Sequence, residues 1–272
     1  MANQIREAQK LGQSIWYDNV RRGLLVSGEI AELVKTGVTG LTSNPTIFEK
    51  AISESGDYDE ALMALAMEGH TAEEAFEELA VTDIRNVADL LRQVYDDTNG
   101  IDGYASLEVS PSLAHDTDAT VAEALRLFAK LDRPNVMVKV PATPEGIPAI
   151  QQLIGKGVNI NVTLLFDLET YRNVRNAYST GLEQLQASGG DLSKVSSVAS
   201  FFVSRVDSAV DALLEAKIQN GESGVEHLLG KAAIANATLA YRDFRQTLSE
   251  RRFESLMEGG AQAQRPLWAS TG

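Results

Sequence analysis

Short apolar runs alternate with longer helix-patterned segments along this chain of 272 residues, and this alternation limits the possible folds most strongly. The short runs are rich in β-branched and aromatic residues, which is typical of buried strands. The longer segments have apolar residues three or four apart, which is typical of amphipathic helices. Seven strands are predicted: Ser14–Tyr17, Gly40–Thr42, Tyr104–Val109, Val136–Val140, Val158–Leu165, Val195–Val203 and Pro266–Ala269. Strands that alternate with helices form parallel β-α units with right-handed crossovers.

Helix start signals lie between these strands. Four N-terminal ends are predicted, at Thr71, Thr120, Thr143 and Asp167. A glutamate follows three residues after each of the first two, as in a capping box, and a proline follows the third at the first helical position. The helix that begins after Asp167 is predicted to end at Gly189-Gly190.

Polar or ionisable side chains cluster at the C-terminal ends of most predicted strands. The set comprises Asp18, Asn44, Glu108, Lys139, Asn161, Thr163 and Ser200. A site assembled from many strand ends is typical of a barrel, whereas an open doubly wound sheet concentrates its chemistry at one switch point. We therefore predict an α/β fold, a (β/α)8 TIM-type barrel, as a single domain over residues 1–272. Because only seven strands are found, the barrel is expected to be truncated before the eighth.

Composition excludes several classes of function. Asp and Glu total 38 against 24 Lys and Arg, giving a formal net charge of −14. The electrostatic field of such a negatively charged protein repels nucleic acid and anionic membranes, which are therefore disfavoured as partners. The absence of cysteine excludes disulfides and thiolate chemistry and is compatible with the cytoplasm. The polar segment Met1–Gln13 lacks a secretory signal, and no apolar run is long enough to span a membrane.

The three histidines, His70, His115 and His227, are scattered without the spacing of metal ligands. We therefore predict neither a metal site nor a cofactor. A cytoplasmic location is the matching expectation, and the sequence does not indicate an oligomeric state.

Lys139 lies within an otherwise apolar predicted strand. Burial disfavours the charged ammonium and favours a neutral, nucleophilic amine; the alternative is an edge-strand lysine that prevents aggregation. Period-two alternation places Ser106 and Glu108 on one face of the preceding strand. A carboxylate that faces into a barrel is a candidate general acid or base. A structural ion pair between Glu108 and a lysine is the alternative.

Asp18 follows the first strand, where its position favours the N-cap of the next helix over a catalytic group. Asn44 lies in a compact polar turn that turn chemistry alone explains. Asn161 and Thr163 share one face of a buried strand. Because inward-facing polar groups need partners, this pair indicates a substrate or water site.

Ser200 ends a strand and Arg205 lies on the turn after it. An arginine and a hydroxyl group near a helix N-terminus suit a phosphate. The competing explanation is an ion pair of Arg205 with Asp207 or Asp211.

Taken in order, these segments resemble the transaldolase family over almost the whole chain. The matching blocks are Trp16–Asn19, Gly37–Thr46, Ser106–Pro111, Val138–Ala142, Asn159–Phe166 and Ser200–Arg205. The resemblance implies an α/β barrel whose lysine forms a Schiff base with a ketose phosphate, sedoheptulose 7-phosphate or fructose 6-phosphate. It also implies that a dihydroxyacetone unit then passes to an aldose phosphate, glyceraldehyde 3-phosphate or erythrose 4-phosphate, in the pentose phosphate pathway.

The resemblance also implies roles for individual residues. Lys139 matches the Schiff-base lysine, and Asp18 matches the aspartate that takes a proton from the sugar hydroxyl. Glu108, together with Thr163, matches the pair that positions the water used in carbinolamine dehydration.

The substrate-binding residues follow by the same resemblance. Asn44 and Asn161 match asparagines that hold the dihydroxyacetone portion, and Ser200 and Arg205 match groups on the phosphate side. The family usually places a further basic phosphate ligand after the last strand found here, and the sequence stops at Gly272 before such a residue. Two alternatives therefore remain: an aldolase of the fructose 6-phosphate type, and a non-catalytic truncated barrel that binds sugar phosphates.

Overall fold

All seven predicted strands are present in the computed structural model, which describes residues 3–271. Their bounds are β1 Trp16–Asp18, β2 Gly40–Thr42, β3 Tyr104–Glu108, β4 Val136–Pro141, β5 Ile160–Leu165, β6 Ser197–Phe202 and β7 Arg265–Ala269. Every predicted strand end lies within two residues of the observed one. Met1, Ala2 and Gly272, at the two ends considered in the sequence analysis, lie outside the described residues.

Twelve α-helices occur among residues 3–271. They are α1 Gln4–Lys10, α2 Arg22–Val26, α3 Glu29–Thr36, α4 Pro45–Ser53, α5 Asp59–Met67, α6 Ala72–Asp97, α7 Thr117–Leu131, α8 Gly146–Gly155, α9 Leu168–Ala187, α10 Ser204–Gln219, α11 Ala232–Leu248 and α12 Arg251–Glu258. None of them is long and apolar enough to cross a membrane.

The chain divides into two compact units. The first comprises Met1–Pro111 and Ala122–Lys139, and the second comprises Ser112–Val121 and Val140–Gly272. In the first unit β1, β2, β3 and β4 are parallel neighbours in chain order, and in the second β5, β6 and β7 are. Helices separate consecutive strands, so the predicted α/β class with parallel barrel-type connectivity is confirmed, and no eighth strand occurs among residues 3–271. The single domain over residues 1–272 stays a prediction.

Strand register aligns polar side chains in the first unit. Asp18 on β1 lies opposite Thr42 on β2, which in turn lies opposite Ser106 on β3. Two residues further along β3, Glu108 lies opposite Lys139 on β4. Parallel neighbours in register present their side chains at the same level, so these strand ends form two adjacent polar levels.

The core of the first unit lies between the sheet and α6. Leu79, Ile84 and Val87 on the inner face of this helix are buried, as its amphipathic pattern predicts. The rings of Tyr95 on α6 and Tyr104 on β3 meet edge to face, with centroids 5.4 Å apart. The helix therefore packs directly on the strand that ends in Glu108.

A buried polar network joins α2 to α6 in the first unit. Asp83 is fully buried and accepts hydrogen bonds from Arg22 Nε at 3.0 Å, Arg22 Nη2 at 2.9 Å and Tyr58 Oη at 2.9 Å. The Tyr58 hydroxyl oxygen accepts from the backbone N–H of Arg22 at 2.9 Å. Burial raises the pKa of the Asp83 carboxyl and that of the Tyr58 hydroxyl. Each polar group in this network depends on the others for its partners.

In the second unit α8 packs closely against α9, and a glycine permits the contact. A Cβ atom added to Gly181 on α9 would lie 2.7 Å from both the Gln151 carbonyl oxygen and Ile154 Cβ on α8. Ile150, Leu153 and Ile154 on α8 are fully buried. The buried apolar face of α8 therefore lies against α9.

A β-bulge interrupts β5. Val162 pairs with Ala199 and Leu165 pairs with Phe201, so Thr163 and Leu164 together lie opposite one residue, Ser200. Leu164 has a left-handed backbone with φ of +61° and is 42% exposed. The bulge leaves Leu164 exposed while its neighbours in sequence, Thr163 and Leu165, stay buried.

Two of the four predicted helix caps are present. Thr71 and Glu74 form the reciprocal capping box of α6. Asp167 accepts from the Thr170 N–H at 2.8 Å and caps α9, which ends before Gly189 as predicted. The cap predicted at Thr143 is displaced: Thr143 Oγ1 accepts from the Gly146 N–H at 2.9 Å, but α8 begins at Gly146 and its N-cap residue is Glu145, so Pro144 lies before the helix.

The fourth predicted cap, a capping box of Thr120 and Glu123, is wrong. Helix α7 begins at Thr117, and the Asp116 carboxylate accepts from the Ala119 N–H at 2.9 Å. Asp116 supplies the cap one turn earlier, which leaves Thr120 inside the helix.

A cluster of charged side chains between α6 and α7 makes the free energy of unfolding depend on pH in the acid range. Hydrogen bonds from Arg126 lower the pKa of Glu77 from 4.5 to about 2; burial opposes this shift and Lys130, at 2.6 Å, adds to it. A carboxyl group whose pKa is lower in the folded state stabilises the fold above its unfolded pKa, and this contribution is lost as pH falls through the folded value. Because Arg126 is half-exposed, we expect the contribution at pH 7 to be about 1 kcal/mol.

This contribution is measured by urea unfolding of the wild type and Glu77→Gln between pH 7 and pH 2. We expect the wild type to be more stable above about pH 4.5 and the two proteins to converge near pH 2. Glu73→Gln is the matched control, because Glu73 is an exposed residue of α6 that forms no ion pair with a described residue. A constant difference between wild type and Glu77→Gln over this range would contradict the prediction.

Candidate active site

Lys139 and Glu108 form a buried ion pair at the C-terminal ends of β3 and β4. Lys139 Nζ lies 3.1 Å from Glu108 Oε2, and the two side chains are 8% and 14% exposed. The lysine also donates to the Ser43 carbonyl oxygen at 3.1 Å. Because Lys139 is buried and β4 is not an edge strand of the sheet, the alternative of an edge-strand lysine that prevents aggregation is wrong.

This pair has the composition of an amine nucleophile with an adjacent base. An amine must lose a proton before it attacks a carbonyl carbon, and the nearest acceptor is the Glu108 carboxylate. A structural ion pair would have the same geometry. A reaction experiment is therefore needed to separate these two roles.

Asp18 lies exposed at the end of β1 and accepts a hydrogen bond from Thr42 Oγ1 at 2.6 Å. It does not cap the following helix, because α2 begins at Arg22 and its N-cap residue is Arg21. The N-cap alternative is therefore wrong. The carboxylate is oriented by Thr42 and is exposed, so a bound ligand could reach it.

Asn44 combines a turn role with a free donor. Its Oδ1 accepts from the backbone N–H of Ile47 at 3.0 Å and so caps α4, as turn chemistry predicts. Its Nδ2 makes no hydrogen bond to any residue between 3 and 271. One side of the amide is thus fixed by the helix and the other can donate to a ligand hydroxyl.

Two residues beside these groups were missed as site residues in the sequence analysis. Thr42 orients Asp18, and Ser43 accepts from Lys139 through its carbonyl while its Oγ donates to the Ser106 carbonyl at 2.7 Å. Both lie in the same polar turn as Asn44. The signal available in the sequence was the position of this turn directly after a strand. Residues at such a position lie beside the ends of the neighbouring parallel strands.

The second unit places Asn161, Thr163 and Ser200 together at the bulged end of β5 and on β6. Ser200 Oγ donates to Asn161 Oδ1 at 2.7 Å, and all three residues are buried. The Thr163 carbonyl oxygen accepts from the Ala142 N–H at 2.9 Å. Ser200 is thus the polar partner that the inward-facing Asn161 side chain requires, whereas the bond of Thr163 is made by its backbone.

Arg205 lies exposed in the first turn of α10, with its guanidinium carbon 4.6 Å from the centre of the Phe202 ring. Asp207 and Asp211 instead accept from the backbone N–H groups of Ala233 and Gly230. Arg205 forms no ion pair with any described residue, so the competing explanation for this side chain is wrong. An exposed guanidinium at a helix N-terminus is suited to an anion.

Side chains that could bind a metal ion were sought among the same residues. No group of three or more His, Asp or Glu side chains within residues 3–271 has the arrangement of a metal site.

Comparison with known proteins identifies the family. A family model described as transaldolase/fructose-6-phosphate aldolase matches residues 15–272. The chain belongs to the transaldolase/fructose-6-phosphate aldolase family. The resemblance predicted from the ordered strand-end blocks is therefore confirmed, and the chain is an enzyme of this family.

Members of this family that are similar to the chain are named transaldolase. One from Saccharopolyspora erythraea is 52% identical over 262 residues, covering 96% of this chain and 70% of that protein. Transaldolase 1 of Streptomyces avermitilis is 49% identical over 276 residues, covering 100% of this chain and 72% of the relative. A transaldolase from Trichodesmium erythraeum is 44% identical, covering 100% and 73% respectively.

Proposed function

We propose that this protein is a transaldolase that moves a dihydroxyacetone unit from a ketose phosphate to an aldose phosphate through a Schiff base on Lys139. The observation that supports the proposal best is the buried contact of 3.1 Å between Lys139 Nζ and the Glu108 carboxylate, in a member of this enzyme family. The donors proposed are sedoheptulose 7-phosphate and fructose 6-phosphate. The acceptors are glyceraldehyde 3-phosphate and erythrose 4-phosphate.

The first half of the proposed reaction joins the ketose to the enzyme. Glu108 takes a proton from Lys139, and the neutral amine attacks the ketose carbonyl carbon to form a carbinolamine. Loss of water then gives an iminium ion, with Glu108 and Thr163 positioning a water molecule for the proton transfers.

Carbon–carbon cleavage follows from the electron demand of the iminium ion. Asp18 removes the proton of the hydroxyl group beyond the bond that breaks, the aldose leaves as an aldehyde, and the electron pair moves to the nitrogen as an enamine. Addition of the enamine to the acceptor aldehyde and hydrolysis of the new iminium ion return the free lysine. Thr42, 2.6 Å from Asp18, holds the carboxylate in place.

The remaining residues are proposed to bind substrate. Asn44 and Asn161 hold the dihydroxyacetone hydroxyls, and Ser200 and Arg205 bind the phosphate group. The free Nδ2 of Asn44 and the unpaired guanidinium of Arg205 support these roles. We further propose that the reaction belongs to the pentose phosphate pathway in the cytoplasm, without a cofactor.

Borohydride trapping tests the Schiff base. We expect fructose 6-phosphate and borohydride to convert the iminium ion to a stable secondary amine on Lys139, identified by peptide mass mapping. Lys156, exposed at the end of α8, is the internal control and should stay unmodified. No adduct on Lys139 in a folded protein that still binds the sugar phosphate would support the non-catalytic binding alternative.

A second assay separates transaldolase from the aldolase alternative, which the family description also includes. With fructose 6-phosphate alone, an aldolase releases free dihydroxyacetone at its full rate. For this protein we expect sustained turnover of fructose 6-phosphate to require an aldose phosphate acceptor. Release of dihydroxyacetone at an equal rate without acceptor would favour the aldolase.

A further inference from the structure

A polar cavity of about 420 Å³ lies among α9, α11 and α12 in the second unit. Three arginines line it, Arg172 and Arg175 from α9 and Arg252 from α12, together with the carboxylates of Asp243 and Glu250. None of its lining residues belongs to a strand or to the proposed catalytic and binding groups. The volume is within the range of small-molecule sites.

Two of the three arginines are already neutralised by carboxylates. Arg172 binds Asp243 with its Nε at 2.6 Å and its Nη2 at 2.5 Å. Arg252 binds both oxygens of Glu183 at 2.7 Å. These two ion pairs leave Arg175 as the remaining cation of the cavity and Glu250, an exposed lining residue, as the remaining carboxylate; Glu250 acts on Arg175 through its charge but forms no ion pair with it.

Arg175 is a buried cation without a carboxylate partner among the described residues. The residue is 8% exposed, and its Nη1 donates only to the Asp243 carbonyl oxygen and to Thr247 Oγ1. Its Nε is buried with no hydrogen-bond partner. The Tyr171 ring, 4.8 Å from the guanidinium carbon, provides a cation–π contact and no counter-charge.

A buried charge is stable only when it is paired and hydrogen-bonded. Burial lowers the pKa of the Arg175 guanidinium, so the protein environment opposes the charge that it contains. The carboxylates of Asp243 and Glu250 favour the charge from a distance without contacting the guanidinium. An oxyanion in the cavity would supply a counter-charge in direct contact and accept from guanidinium N–H groups with the fork geometry that arginine favours.

We propose that this cavity binds a small oxyanion metabolite, a phosphate monoester or a carboxylate, at a site separate from the catalytic residues and with Arg175 as its main ligand. Gln246, exposed on the cavity wall, is positioned to contribute a further polar contact. The carboxylates of Asp243 and Glu250 and the side chain of Arg252 form walls of the cavity. The space between them suits a small molecule.

Phosphate-dependent thermal unfolding tests this site, with sodium chloride matching the ionic strength. We expect inorganic phosphate to raise the unfolding temperature of the wild type and Arg175→Gln to bind it at least about tenfold more weakly. Arg245→Gln is the matched control, since Arg245 is exposed on α11 and does not line the cavity. Because phosphate also has a proposed place at Arg205, the comparison is repeated in Arg205→Gln, where the Arg175 difference should persist.

A second variant keeps the test decisive if Arg175→Gln does not fold. Gln246→Glu places a carboxylate on the cavity wall, so we expect it to stabilise the protein without phosphate and to weaken the response to phosphate. Gln219→Glu, the same change in the last turn of α10, should do neither. Titration with citrate then separates a carboxylate ligand from a phosphate ligand. Equal responses of wild type, Arg175→Gln and Gln246→Glu to both anions would overturn the proposal.

Discussion

The Lys139→Arg variant is expected to lose at least about 10⁴-fold in kcat/KM for transfer from fructose 6-phosphate to an aldose phosphate. Arginine keeps a positive charge beside Glu108, and the buried ion pair at 3.1 Å can be re-formed. Its guanidinium stays protonated at neutral pH and does not add to a carbonyl group. The loss therefore reports the missing nucleophile and is measured by coupled detection of the released aldose phosphate.

Two controls make this result specific. Lys156→Arg makes the same change at an exposed lysine and should leave kcat/KM within about twofold. Circular dichroism and thermal unfolding of Lys139→Arg should show a folded protein. Substantial transfer activity in folded Lys139→Arg would disprove a Schiff base at this residue.

The Asp83→Ala variant is expected to lose about 3–5 kcal/mol in the free energy of unfolding. Asp83 is fully buried, and its removal leaves the Arg22 guanidinium and the Tyr58 hydroxyl without their acceptor. An unpaired buried charge is far more unfavourable than the loss of one hydrogen bond. Urea unfolding monitored by fluorescence measures the difference.

Asp89→Ala is the control for this substitution, because Asp89 lies on the same helix and pairs with Arg133 at the surface. Exposed ion pairs stabilise proteins by less than about 1 kcal/mol, so the control should change little. Similar losses in the two variants would mean that the Asp83 network is no stronger than a surface pair.

The strands were predictable, and several candidate site residues could be proposed, because their signals are local. An apolar run specifies a strand, and the parallel order of β-α units places the ends of neighbouring strands side by side. Lys139 and Glu108 were therefore identified separately, each by a polar side chain at the end of an apolar run. The distance of 3.1 Å between them depends on the register of β3 against β4, and this register cannot be predicted from either run alone.

Other features required the folded chain because their partners are far apart in sequence. Asp83 accepts from Arg22, 61 residues earlier, and Arg175 donates to Thr247, 72 residues later. Single charged residues on helices normally face solvent, so nothing in the sequence distinguished Asp83 or Arg175 from a surface charge. The Thr120 capping box failed for a different reason, since Asp116 offered an equally good cap one turn earlier.

The bulge in β5 has a consequence for protein engineering. Leu164 is 42% exposed and has a left-handed backbone, and it is the extra residue between Thr163 and the next paired position, Leu165. Transplanting Asn161 and Thr163 onto a regular parallel strand would copy these two candidate site residues and lose the extra residue of the bulge. A designer who wants the same chemistry in another scaffold must therefore transfer the shape of the main chain, and choose a residue at position 164 that tolerates positive φ.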